Sequence, residues 1–167
     1  VNGYSKVLIA MTENLIVRVL HVAGPDSAGV FQTFQVNSSS RMSVLDILTR
    51  IQSIQDSTLA FRYSCRAGMC GSCSMRVNGK NSWTCRIMAE QFLKKGLTLE
   101  PLPNFPVIRD LAVDMKPFFD HYRRVIPQFV SKNPRRKDFA NIQPDSRERK
   151  EIDQNIECIT CGNCFGS

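Results

Sequence analysis

At 167 residues with 43% apolar side chains, the chain can build one or two small cored domains. No run approaches the roughly 18 apolar residues of a membrane span, and residues 1–10 lack the basic start and apolar run of a secretory leader. The net charge of +7 and seven cysteines in two tight groups are the distinctive features; bridging gaps this short would close almost no chain entropy, so a metal centre in a reducing compartment is expected instead of a disulfide framework.

Met11-Thr12-Glu13 reads as a natural start, with residues 1–10 an upstream extension and 1–12 a tail. Residues 15–22 and 30–37 are β-like runs joined through Gly24-Pro25-Asp26, which predicts an antiparallel hairpin. Ser43 and Asp46 form a capping box that opens a helix, with Met42 placed to staple against Ile47. Val44, Ile47, Leu48 and Ile51 give that helix its buried stripe, which fades near Ser53. Residues 61–73 read as a glycine-bearing loop wrapped around something. Residues 74–77 and 82–85 read as strands flanking the Asn78-Gly79 turn. Gly96 ends a short helical stretch, and residues 97–100 read as one more strand. The result is a small α+β domain over residues 13–106.

After Pro101, Pro103 and Pro106 the pattern changes. Leu111, Met115, Phe118, Phe119, Tyr122, Val125 and Ile126 recur at helical spacing, as one amphipathic helix or two split near Pro117, and Pro127 stops it. Residues 131–150 hold seven basic and three acidic side chains, a net +4. This reads as a solvated linker, or a face for an acidic partner or anionic lipid heads, and not as a nucleic-acid site.

The first cysteine group is Cys65, Cys70 and Cys73, completed by Cys85 after a return through the Asn78-Gly79 turn. C-x4-C-x2-C with a later cysteine is plant-type 2Fe–2S spacing. Gly68 and Gly71 let the loop fold closely and aim amide N–H groups at sulfur. Zinc is the rival ligand, but its knuckles run in two similar halves and this set is three plus one. From Arg62 to Arg86 there are five cations (Arg62, Arg66, Arg76, Lys80, Arg86) and no acid. Positive surroundings favour the more negative reduced state, so a potential above the roughly −400 mV of plant-type ferredoxins is expected, unless solvent screens these charges.

Up to Cys73 the loop resembles that of plant-type ferredoxins, with its Tyr63-Ser-Cys-Arg-Ala-Gly68 run. The short return to Cys85 resembles the iron–sulfur subunit of succinate dehydrogenase and fumarate reductase. Ser64-Cys-Arg66, Cys70-Gly-Ser-Cys73, Asn78-Gly79, Pro101-Leu-Pro103, Val107-Ile-Arg-Asp-Leu111 and Cys158-Ile-Thr-Cys161-Gly-Asn-Cys164 are similar to that family's N-terminal half. Ala67 departs from it, since many members carry an acid there. The resemblance implies a β-grasp 2Fe–2S ferredoxin-like domain, then the start of an α-helical bacterial-ferredoxin-like domain over residues 107–167. It also implies electron relay from a flavoprotein subunit through 2Fe–2S, 4Fe–4S and 3Fe–4S centres to a quinone held by membrane anchor subunits. The flavin and dicarboxylate chemistry would lie in the partner chain. The subunit would sit peripherally on the cytoplasmic face of a bacterial inner membrane, or on the matrix side in mitochondria.

Cys158, Cys161 and Cys164 make C-x2-C-x2-C, the opening of a bacterial ferredoxin run. These three would hold the 4Fe–4S centre incompletely. The cysteine and proline expected next fall past Ser167, so the chain reads as a fragment whose 3Fe–4S ligands lie further on. Met115, Phe118, Phe119 and Tyr122 would then be left partly exposed. His21 and His121 read as structural, Trp83 as a shield for the centre, and Arg109 and Asp110 as an interdomain or surface pair. No nucleophile–base pair is evident, so no catalytic residue is assigned. Two other classes remain: a freestanding ferredoxin-like carrier and a zinc-bound interaction module.

Overall fold

A computed structural model describes residues 13–39, 41–126 and 143–167. The tail at 1–12, Pro127 and most of the basic linker lie outside the described residues.

The chain opens with β1 (Glu13–His21) and β2 (Val30–Ser38), paired antiparallel in full register from Glu13↔Ser38 to His21↔Val30. Leu15, Val17 and Val19 alternate inward from β1, and Phe34 and Val36 from β2. Helix α1 (Val44–Ile54) follows with the expected box: Ser43 Oγ accepts from the Asp46 amide at 3.2 Å, and the Asp46 carboxylate accepts from the Ser43 amide at 2.9 Å. Val44, Leu45, Ile47, Leu48 and Ile51 bury its inner face.

Past the cysteine loop, β3 (Ser74–Val77) and β4 (Lys80–Trp83) form a tight hairpin, and β5 (Leu97–Glu100) returns parallel to β1 and antiparallel to β3. The sheet order is β2-β1-β5-β3-β4, a mixed sheet closed over α1 in the α+β ferredoxin-like manner expected from the sequence. The β4 boundary needs correction. Asn78 and Gly79, at φ +45° and +81°, make a two-residue turn that pairs Val77 directly with Lys80. The strand therefore runs Lys80–Trp83, and Cys85 lies in a 3-10 turn, Thr84–Arg86.

Two further corrections concern the second half. The helical pattern begins later than expected. Val107–Arg109 and Ala112–Val113 form a short bulged hairpin, β6 and β7, and only Lys116–Arg124 is helical, as α2, with Pro117 in its first turn. Helix α3 (Arg147–Ile156) occupies the end of the stretch read as linker. It has no apolar stripe to announce it. Ser146 caps it by accepting from the Arg149 amide, and the pairs Arg147–Glu151 and Arg149–Asp153 lie one turn apart. Among the described residues no helix is long and apolar enough to cross a membrane.

Asp110 is not a surface charge. It is 3% exposed, and its carboxylate accepts from the Val22 amide at 3.2 Å and the Ala60 amide at 2.8 Å, beside His21 Nδ1 at 3.1 Å. Arg109 Nε stands 3.7 Å away, and Asp56 lies 3.5 Å from His21 Nε2. His21 is thus structural, locking the β6–β7 turn onto the end of β1. Thr58, through its hydroxyl first and its amide second, holds the Asp56 carboxyl below its ordinary range.

Leu102, Phe105 and Val113 form a second, smaller core with Val107, Met115, Phe118 and Phe165 against it. Phe165 lies 4.9 Å from Phe105 and 6.0 Å from Phe118, so residues 158–167 fold back and cover Met115 and Phe118 in part. Phe119 stays 38% exposed.

Candidate metal centre

Three left-handed residues shape the cysteine loop: Arg66 at φ +57°, Gly68 at +74° and Gly71 at +67°. Their effect is to turn successive amides toward one sulfur. Cys65 Sγ accepts from the amides of Ala67 (3.4 Å), Met69 (3.3 Å) and Cys70 (3.3 Å), and the Cys65 amide donates to Cys70 Sγ at 3.5 Å. Sulfur is a weak acceptor when neutral and a much better one when it carries charge. An array of this kind suits thiolates.

The fourth cysteine arrives by a separate route. Thr84 is fully buried beside the end of β4 and donates to the Cys73 carbonyl through its amide (3.3 Å) and its hydroxyl (3.0 Å). Cys85 is carried with it against the Cys73 thiol, with the Gly68 amide and Cys65 close by. The Arg86 stem packs on Gly68, where an added Cβ would stand 2.7 Å from Arg86 Cδ. Cys65 is exposed, Cys70 and Cys85 are half-buried, and Cys73 is buried.

The thiols are poised in opposite directions. The Ser72 hydroxyl, then the Cys65 and Ser72 amides, hold Cys70 down to about 6. Burial, then the neighbouring Cys73 thiol, pushes Cys85 up to about 11. Charging Cys85 beside Cys73 and Cys65 is unfavourable unless a cationic core stands between them. That donor set, all sulfur, amide-solvated and mutually repelling when ionised, fits an iron–sulfur core. No three His, Cys, Asp or Glu side chains among the described residues stand close enough to hold one metal ion.

The second group lies directly against the first. The Cys161 backbone rests on Gly71, whose added Cβ would stand 2.3 Å from Cys161 Cβ and 2.8 Å from its Cα. Cys158 and Cys164 are exposed and Cys161 is half-buried. Trp83 is half-buried, and its Nε1 has no hydrogen-bond partner among the described residues. Thr84 and Asn81 are not legible in the sequence as structural partners of the loop and its neighbours, and Asp110 is legible only as a partner of Arg109. Only Thr84, next to a cysteine, carried any positional hint.

A mixed sheet closed over one helix, with a cysteine loop and a hairpin cysteine at its edge, defines a ferredoxin-like iron–sulfur domain. Comparison with known proteins agrees: residues 16–120 match the family described as "2Fe-2S iron-sulfur cluster binding domain". The chain belongs to that family. Among curated relatives it is 40% identical over 121 residues to succinate dehydrogenase (ubiquinone) iron–sulfur subunit 2, mitochondrial, of Oryza sativa subsp. japonica, covering 72% of this chain and 39% of the relative. It is 37% identical over 144 residues to the corresponding subunit 3 of Arabidopsis thaliana, covering 86% and 46%. Among solved structures, a chain of the Mycobacterium smegmatis Sdh1 complex in the apo form superposes with a TM-score of 0.78 at 32% identity, over 93% of this chain and 63% of that one. The chain thus spans less than half the length of these curated relatives.

Proposed function

We propose that this chain is the electron-transfer iron–sulfur subunit of a succinate dehydrogenase or fumarate reductase complex. The observation that carries this reading is the meeting of Cys65, Cys70, Cys73 and Cys85 at one amide-lined loop, in a chain similar to subunits of that name. Those four cysteines are its 2Fe–2S ligands. Cys158, Cys161 and Cys164 supply three ligands of a 4Fe–4S centre, which needs one further donor, and a 3Fe–4S centre belongs to the remainder of such a subunit. The division is a 2Fe–2S domain at 13–106 and a ferredoxin-type domain at 107–167 that is helical from Lys116 and opens with the β6–β7 hairpin packed back on the first domain. The partners are a flavoprotein subunit and quinone-bearing membrane anchors, with this subunit peripheral on the cytoplasmic or matrix side.

A 2Fe–2S cluster supplies one-electron storage between a two-electron flavin and the next centre. The chain's own residues make that storage rapid. Amides of Ala67, Met69 and Cys70 are already aimed at Cys65 Sγ, so added negative charge meets dipoles that need no reorganisation. Arg66 and Arg86 add positive charge at the loop. The exposed Cys65 edge offers an entry point, and buried Cys73 excludes water from the inner side.

The test is anaerobic purification of the subunit with its complex. A visible spectrum bleached by dithionite, with a flavoprotein in the same fraction, is the expected result. A coloured protein that purifies alone would mark a freestanding carrier, and a colourless zinc protein an interaction module.

A further inference from the structure

We propose that Asn81 is a positioning residue that, with Gly71, sets the separation between the two cysteine groups; this rests on the relay reading above. Asn81 stands on β4, and its Nδ2 donates to the Asn163 carbonyl at 3.0 Å, across 82 residues of sequence. Asn163 lies between Cys161 and Cys164, so the bond holds the peptide that carries both sulfurs.

Two further contacts complete the seat. Gly71 is buried, and the space a side chain would take there is filled by Cys161, so the peptide between Cys70 and Ser72 touches the Cys161 backbone. Gly166 is packed so closely that an added Cβ would stand 3.0 Å from the Pro103 carbonyl oxygen and 3.2 Å from Asn81 Nδ2. Phe165, against Phe105 and Phe118, supplies the apolar anchor.

These contacts do different work. Apolar packing of Phe165 is non-directional and tolerates small rotations and slides of the segment. A hydrogen bond does not, and this one acts between two of the three sulfurs. It fixes where Cys161 and Cys164 stand relative to Cys70 and Cys73. The electron step has simple balance: the first centre loses one electron, the second gains it, and no bond or proton changes. Such a step depends on separation, and the Cys70–Gly71–Cys161 contact is a direct backbone bridge between the groups.

The test uses the full-length subunit in its complex, as Asn81→Ala and separately as Gly166→Ala, which leaves Asn81 in place but presses a methyl group into the seat. Amide hydrogen exchange over residues 161–167 should quicken by roughly twofold to tenfold, the worth of one net hydrogen bond. The visible spectrum and midpoint potential of the 2Fe–2S centre should stay unchanged, while the magnetic interaction between the two reduced centres weakens. Unchanged exchange and unchanged interaction in both variants would overturn the proposal. So would faster exchange with an unchanged interaction, since Asn81 would then be structural only. If the unsubstituted complex itself shows no second centre, the relay reading fails and the positioning role with it, an outcome set apart because it precedes any substitution.

Discussion

Thr84 is bonded twice to Cys73. Its amide and its hydroxyl both donate to the Cys73 carbonyl, at 3.3 and 3.0 Å, from a fully buried position. This is how a cysteine twelve residues beyond Cys73 is held beside it. Thr84→Val keeps the volume and loses the hydroxyl donor. A stability loss of about 1 kcal/mol is expected, with faster loss of visible absorbance in air, because Cys85 is less firmly held. Chemical unfolding and the bleaching rate measure the two effects.

The opposite poise of two cysteines predicts a pH-dependent order of alkylation in cluster-free protein. The thiolate is the nucleophile. Cys70, held down to about 6, should gain reactivity as pH rises through 6 and level off above it. Cys85, pushed up to about 11, should stay slow at pH 7 and gain only toward 11. Iodoacetamide labelling followed by peptide mass analysis reads each site. Equal rates at pH 7 would contradict the geometry.

Arg86 lies with its stem on Gly68 and its charge at the loop. Its removal should make the reduced state less favourable. For Arg86→Gln a fall of roughly 20 mV is expected, equivalent to about 0.5 kcal/mol for a screened surface charge in a one-electron couple. The shift should shrink as salt rises. A spectroscopic redox titration at two ionic strengths tests both points.

Asp110 supports the loop from further away. Its buried carboxylate satisfies the Val22 and Ala60 amides and meets His21. Asp110→Ala leaves those donors unsatisfied at a left-handed position, φ +47°. A loss of about 3 kcal/mol or more is expected. Denaturant unfolding checks it, and a loss below 1 kcal/mol would mean that water replaces the carboxylate readily.

Much of this was legible because it is local. The capping box of α1, the Asn78-Gly79 turn and the spacing of the first four cysteines each lie within a few residues of chain. The strand after the turn starts at Lys80, two residues before the expected Ser82, because the turn needs no extra residues before pairing begins. Helix α3 is not legible from periodicity because a cap and charge pairs, not an apolar stripe, announce it. β6 and β7 are three and two residues long with a bulge between, too short for any period to show. The sequence shows Asp110 only as half of an interdomain or surface pair with Arg109, because its buried partners lie 50 and 88 residues away. The Gly71–Cys161 contact is purely tertiary. Nothing in either motif says that the other will lie on it.

The most direct test of the four-cysteine centre is iron and acid-labile sulfide analysis of anaerobically prepared protein, alongside Cys73→Ser. Iron and sulfide in equal amounts, with a visible spectrum that dithionite bleaches and from which Cys73→Ser removes the 2Fe–2S component, is the expected result. Protein free of iron and sulfide, or colour unchanged by the substitution, would contradict it.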